Sequence, residues 1–578
     1  MKHANLLAAL LVLYPLASLL RSARAEGDNA GVERRLADID RYLSSDELAG
    51  RGLGDKGLDM AADYIAQRFH DAGLRTDLFG GSPFQTFKVT TAIAMGPDNR
   101  LALVGPPPRP GEKPLRFDLA LNRDFIPTMD SNSGKFDLPL LFVGYGITAK
   151  AEGYDDYAGM QVAGKAVLLF RHEPQQANPE SVFNGIQDSE YSFLRRKIST
   201  AYEHGAAVVI LCNDLFDVRH HQRGNDTLLR YRAGPISHVP CDLPVLHVRR
   251  AVLDSAVRAS LGVDLAKLEE QIDEGPTPHS AELKGWRIAG KVDIRRTEHE
   301  VKNVLGMLDG SGSTADETII VGAHYDHLGF TLSGDPQHPI KDIYHGADDN
   351  ASGVAVMTEI ARTMASQRGN SHVMLTSAGG RRHLHRRMLF IAFTGEETGH
   401  LGSKYYVGHP LFPLDRTPAM LNFDMLGRLR DDALIVKGAA TAADFARLLE
   451  QTNRQHGLKL VETSGGYSPT DQAVFYARRI PAMDFFTGLH PDYHAPTDTF
   501  DKINVPGMRR VEQLLEDVAV SLADGDKWPT YVALPPPAMN DGRCYFGSVP
   551  DVSRRHGGYA LAGVAKGGRF GLRGISWQ

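Results

Sequence analysis

The sequence predicts an α/β protein whose mostly parallel mixed sheet is sandwiched by helices, with a smaller α/β domain inserted into it. Three observations predict this. From residue 301 onward, short apolar runs ("NVLGML", "ETIIVGAHYD", "RRMLFIAFTGEE", "PAMLNFDMLG", "DALIVKG") alternate with helical stretches at 351–366 and 442–456, the pattern of a parallel sheet covered on both faces. Several of those runs end in a histidine or an acid, and open α/β sheets bind ligands beyond the carboxyl ends of their strands. A separate group of apolar runs lies between 138 and 258: "LPLLFVGYGI", "KAVLLFR", "AAVVILCND" and "LPVLHV".

A chain of 578 residues exceeds one ordinary core. It divides by composition into 1–25, 26–137, 138–258, 259–530 and 531–578. The first segment has Lys2 and His3 before the apolar run 6–20, then small residues at Ala23 and Ala25. That is the pattern of a secretory signal peptide cleaved after Ala25, and it predicts an exported protein, periplasmic or extracellular. No other apolar run reaches membrane-spanning length, so no membrane association is expected after cleavage. With 42% hydrophobic and 23% charged residues and a net charge of −6, nothing indicates a nucleic-acid partner. Oligomeric state is left open by the sequence.

In the second segment, Leu58, Ala61, Ile65 and Phe69 recur at helical spacing and Gly73 stops the helix. Polar loops break the chain further on, notably "GPPPRPGEKP" and "RHHQRGNDT", and in the latter His220 and His221 read as solvated rather than ligating. The basic stretch 367–387 reads as an exposed loop, and its His383 and His385 are not expected to bind a ligand. Cys212, Cys241 and Cys544 match no zinc or redox spacing, and Cys212 and Cys241 are close enough in sequence for a pairing to be conceivable.

"HGADDNASGVAV", residues 345–356, sets Asp348 beside Asp349 among small residues just before a helix. Alone, such a cluster reads as a helix cap. Four more stretches favour a cation. His324 and Asp326 follow "TIIV", Glu396 and Glu397 follow "LFIAF", Asp424 ends "AMLNF", and His494 stands in "HPDYHAPTDT". His324, His494, Asp348, Glu397 and Asp424 together make five ligands, enough for two zinc ions if one carboxylate is shared. The first aspartate of the pair, Asp348, is the natural bridge. Glu396 is then free to act as a general base, and Asp326 to fix the tautomer of His324.

The ordered set His324-x-Asp326, "GADDNASG", "GEE", "NFDMLG" and "DYHAPTDT" resembles the two-zinc aminopeptidases of metallopeptidase family twenty-eight, over roughly 32–90 and 285–523. The resemblance implies a zinc exopeptidase-like fold acting on peptide substrates. It also implies that Asp348 bridges both ions, that His324 and Asp424 complete one site and Glu397 and His494 the other, and that Glu396 is the base. The pair corresponding to Asp348 and Asp349 is joined in that family by a cis peptide bond, with Asp349 placing the bridge. Residues 138–258 resemble a protease-associated domain, and 531–578 the first half of a PDZ domain, expected to be poorly ordered or to dock on the core. Two other readings stay open: a carboxypeptidase or dipeptidase on the same metals, for which Arg428 would receive the substrate carboxylate, and a binding protein that keeps the fold without catalysis. "PAMDFFTG" offers Phe485 or Phe486 as the lining of a side-chain pocket.

Overall fold

The computed structural model describes residues 29–129, 131–230, 242–335, 338–368, 381–463 and 468–534, with the backbone alone of 373–375, 548–550 and 561–564. The signal-like segment, Cys241, Cys544 and nearly all of the PDZ-like tail lie outside the described residues. Cys212 is fully buried.

The described residues form two compact units, one from residues up to Val89 together with those from His299 onward, the other Thr90–Glu298. The first carries the sheet predicted for the C-terminal half. Its strands are β1 (Phe84–Met95), β2 (Ile294–Leu308), β3 (Thr318–His324), β4 (Arg387–Phe393), β5 (Ala419–Phe423), β6 (Ala433–Lys437), β7 (Lys459–Thr463) and β8 (Ala482–Phe486), in the spatial order β1-β2-β4-β3-β5-β8-β6-β7. The central four, β4, β3, β5 and β8, pair parallel, and β2 and β6 close them antiparallel on either side. Every residue of β3, β5 and β8 is buried, because helices cover the sheet and leave its strands apolar throughout rather than alternating.

Those helices are α1 (residues 29–43), α2 (Lys56–Asp71), α3 (Gly353–Arg368), α4 (Leu401–Gly408), α5 (Phe445–Asn453) and α6 (Val505–Asp524). The α2 stripe is the one predicted: Leu58, Ala61, Ile65 and Phe69 are buried, and Gly73 follows at φ 84°. The start of α3 fixes the site. A Cβ on Gly353 would come within 2.5 Å of the Phe423 carbonyl oxygen, so only glycine lets this helix begin against the end of β5. Asn350 supports the same contact, its Oδ1 accepting from the Gly353 and Met425 amides and its Nδ2 donating to Phe423 O. The capping role expected of "ADDNASG" thus falls to Asn350.

The second unit is wider than the 138–258 expected. Its eight-stranded sheet runs in the order Leu115–Leu119, Arg100–Gly105, Ala281–Val292, Gly134–Phe142, Ala166–Phe170, Val208–Cys212, Val245–Val248, Phe125–Pro127. Strands before 138 and after 258 pair antiparallel onto a parallel core of four. The apolar runs of the sequence mark that parallel core; the strands outside it are either short, as in Phe125–Pro127 and Arg100–Gly105, or interspersed with exposed polar residues, as in Leu115–Leu119 and Ala281–Val292, so boundaries taken from the runs alone fall inside those of the unit.

Candidate metal centre

Each central strand of the first unit delivers a polar group at its carboxyl end. His324 is the last residue of β3, Asp424 follows β5, Glu396 and Glu397 stand just beyond β4, and His494 lies in the loop after β8. All but Glu396 gather around one carboxylate, that of Asp349. His324 Nε2 lies 3.2 Å from Asp349 Oδ1 and 3.4 Å from Asp424 Oδ1. On the other side, His494 Nε2 lies 3.2 Å from Asp349 Oδ2 and 3.0 Å from Glu397 Oε2. The two oxygens of Asp349 therefore face two separate histidine–carboxylate groups.

This corrects the assignment of the bridge to Asp348. Asp348 is fully buried and turned away, its Oδ1 accepting from the Gly427 amide (2.6 Å) and the Ser352 hydroxyl (3.0 Å), while its Oδ2 lies 3.2 Å from His490 Nε2. The cis peptide bond joins Asp349 to Asn350, not Asp348 to Asp349. With two adjacent acids in one small-residue frame, only the backbone path decides which side chain points where.

The residues fit a pair of cations. Two groups of potential donor atoms, His324–Asp349–Asp424 and His327–Asp349–Glu397, each lie within 4.8 Å and share Asp349; in the second, His327 Nδ1 is already engaged by Glu397 Oε1 at 2.7 Å and lies 3.9 Å from Asp349 Oδ2, while His494 Nε2 faces the same two carboxylates. Asp424 Oδ1 is buried without a hydrogen-bond partner among the described residues. Burial alone would lower the pKa of His494, but its bonds to Asp349 and Glu397 outweigh that and push it up to about 10. Burial acts against ionisation of Glu397 too, and so does Asp349; His327 and His494 prevail and bring it down to about 2. Glu396 differs: burial, aided by neighbouring Glu397, Asp471 and Asp424, raises it well above the usual carboxylate range against the pull of His324. Its Oε1 lies 3.3 Å from His400 Nε2.

Asp326 occupies the turn after β3. Its Oδ1 lies 3.6 Å from His324 Nδ1, and its two oxygens accept from the Glu396 and Glu397 amides at 3.1 and 3.4 Å. It therefore joins the loop after β3 to the loop after β4 as well as facing His324. Three more residues, none of them singled out by the sequence, hold the site. Arg51, fully buried at φ 51°, donates to the carbonyls of Tyr325, His345 and Gly346, tying the β3 loop to the approach to Asp349. Asp498 accepts from the backbone amides of Asp348 and Asp349 at 2.9 and 3.1 Å. His327, buried beside Glu397, is the third. Asp498 is within the "DYHAPTDT" motif and His327 next to Asp326, yet a buried role is not legible from either position alone.

Arg428 does not offer a free cation. Its Nη2 donates to Asp498 at 3.0 Å and to Asp492 at 3.4 Å. Phe485 belongs to the main core, whereas Phe486 joins Met425 and Ile435 in a small cluster with Val461, Leu489 and Tyr493 packed on it.

The carboxyl edge of this α/β sheet thus carries two histidine–carboxylate groups that share one aspartate and could hold metal ions. Residues 303–519 match the model for Peptidase family M28, and this part of the chain is a domain of that family. Among curated proteins, the chain is 26% identical over 244 residues to aminopeptidase YwaD of Bacillus subtilis, covering 40% of this chain and 47% of that protein. It is also 26% identical over 246 residues to a probable leucine aminopeptidase of Arthroderma otae, covering 41% and 63%. The chain thus spans less than two thirds of the length of these relatives. Among solved structures, the aminopeptidase from Aneurinibacillus sp. strain AM-1 aligns with 88% of this chain and 98% of its own, at TM-score 0.43 and 20% identity. The zinc aminopeptidase BSAP from Bacillus subtilis aligns with 86% and 95%, at TM-score 0.40 and 18% identity.

Proposed function

We propose that the protein is an exported zinc-dependent aminopeptidase that removes N-terminal residues from peptides. The observation that carries this reading is the placement of Asp349 between two histidine–carboxylate groups, with the largely enclosed Glu396 beside Glu397. His324, Asp349 and Asp424 would hold one zinc ion and His494, Asp349 and Glu397 the other. Ions held there would supply Lewis acidity toward the scissile carbonyl and ease the deprotonation of water.

Glu396 takes a proton from the attacking water onto its carboxylate and returns it to the departing amine. Its raised pKa in the bare chain reflects burial among acids, and neutralisation of those acids by bound cations would return it toward the ionised form that a base requires. Asp326 positions the Glu396 amide and faces the ring of His324. Met425 directly follows Asp424 and Tyr493 directly precedes His494, so the apolar cluster they form with Phe486 would be the surface against which the first side chain of the substrate packs.

Export rests on the apolar run 6–20 and the small residues Ala23 and Ala25. Among the described residues no helix is long and apolar enough to cross a membrane. The engagement of Arg428 by Asp498 and Asp492 disfavours the carboxypeptidase alternative. The test is hydrolysis of leucyl-anilide against N-acetyl-leucyl-anilide and a C-terminally directed peptide series by the zinc-loaded protein. Turnover of the free-amino substrate alone is expected; release of C-terminal residues from amino-blocked peptides would overturn the reading.

A further inference from the structure

Glu397 presents its two oxygens to two different histidines. Oε2 lies 3.0 Å from His494 Nε2, on the side of Asp349, while Oε1 lies 2.7 Å from His327 Nδ1. An ionised carboxylate oxygen only accepts, so at this distance His327 Nδ1 carries the hydrogen and donates it. The imidazole has little freedom to turn elsewhere. Its side chain is wholly buried, its backbone amide donates to Arg51 O at 3.2 Å, and Gly346 packs so tightly on the ring that an added Cβ would approach His327 Cδ2 to 2.6 Å. His327 Nε2 is buried without a hydrogen-bond partner among the described residues. The ring is therefore held in place through its backbone, its packing and Nδ1.

We propose that His327 is a positioning residue for one metal position only: by donating from Nδ1 to Glu397 Oε1 it leaves Oε2 to act with His494 and Asp349. The inference rests on the two-metal reading above and adds an asymmetry to it. No equivalent histidine stands behind Asp424, whose Oδ1 faces His324 alone among the described ion pairs. Groups that orient a metal ligand without touching the metal typically contribute about 10- to 100-fold to affinity, and an effect of that kind should fall on the second position and spare the first.

The test is competitive zinc titration against a chromophoric chelator, with thermal melting to confirm folding. The wild type is expected to bind two ions. In His327→Ala one of the two should bind about 10- to 100-fold more weakly, with the other changed less than about 3-fold. His327→Asn, whose side-chain amide can donate from near the place of Nδ1, should recover most of the lost affinity. In an Asp424→Ala background, where only the second position remains intact, His327→Ala should produce the same weakening; in a His494→Ala background it should produce little. Equal weakening of both ions, or full-affinity binding of both by His327→Ala, would overturn the inference. If His327→Ala does not fold, the comparison rests on folded His327→Asn, and loss of one ion there would overturn it as well. A wild type that binds no zinc would instead sink the two-metal reading on which the inference stands.

Discussion

The carboxyl edges of the two parallel sheets carry similar residues and use them differently. In the inserted unit, Arg171 and His172 follow Ala166–Phe170, Asn213 and Asp214 follow Val208–Cys212, and Arg249 and Arg250 follow Val245–Val248. There the opposite charges meet. Arg171 donates to Asn213, His172 pairs with Asp214 at 2.5 Å, and Arg250 pairs with Glu269 at 2.7 Å. At the edge formed by β3, β4, β5 and β8, the acids Asp349, Glu397 and Asp424 converge on His324, His327 and His494 with Glu396 beside them, and Asp424 Oδ1, 3.4 Å from His324 Nε2, has no hydrogen-bond partner among the described residues. The first arrangement is complete as it stands and ties loops together. The second is short of positive charge, which is what a pair of cations supplies.

Breaking each edge in turn should separate the two roles. The largest effect is expected from Glu396→Ala, which should reduce kcat by about 10²- to 10⁴-fold, the range of a lost general base, while elemental analysis still finds the wild-type zinc content. Full activity in that variant would remove Glu396 from the chemistry. Next is Arg250→Met in the inserted unit. It leaves Glu269 buried and unpaired and should destabilise that unit by about 3 kcal/mol in urea unfolding, with zinc content and kcat of the folded protein unchanged. A loss of zinc there would mean that the two edges are not independent in role.

A pH-dependent effect, small near neutrality, belongs to His247, which burial, reinforced by Arg171, lowers to about 3. Its Nδ1 accepts from the Leu229 amide, a bond that needs the neutral ring. Because its folded pKa lies below the unfolded one, its contribution is full above pH about 6.5 and is lost as pH falls toward 3, at up to about 1.4 kcal/mol per pH unit. His247→Phe should flatten the acid limb of the stability–pH curve for the inserted unit; an unchanged slope would assign acid sensitivity elsewhere. At the metal edge the sign comes from His494, protonated in the bare chain up to about pH 10. Zinc must displace that proton, so apparent affinity should rise between about pH 6 and 8, and a pH-independent affinity would contradict the assignment.

Legibility in the sequence divides along the same line. The parallel sheet was legible because buried strands read as unbroken apolar runs, and a histidine or acid ending such a run marks the carboxyl edge: His324, Glu396, Glu397 and Asp424 were all visible in this way. His494 sits in a loop and is marked by its motif. The choice between Asp348 and Asp349 was not legible, since both share one frame and the turn around Asp349–Asn350 sets their directions. Nor were the clamps legible. Arg51 reaches carbonyls 274 and 295 positions away, and Asp498 holds Asp348 and Asp349 across 150 and 149 positions; such pairings exist only once the sheet has brought its loops together. The margins of the inserted unit were hidden because its outer antiparallel strands are either short, like Phe125–Pro127, or interspersed with exposed polar residues, like Ala281–Val292.

The most direct test of the central claim, that Asp349 is shared between two metal positions, is zinc stoichiometry in two neighbouring variants. Asp349→Ala should lose both ions, because each group loses a donor at once. Asp348→Asn, which disturbs the bonds to Gly427 and Ser352 and the approach of His490 but no contact of Asp349, should keep both ions while melting at a lower temperature. Two ions retained by Asp349→Ala, with zinc lost from a folded Asp348→Asn, would contradict the account and return the bridge to Asp348.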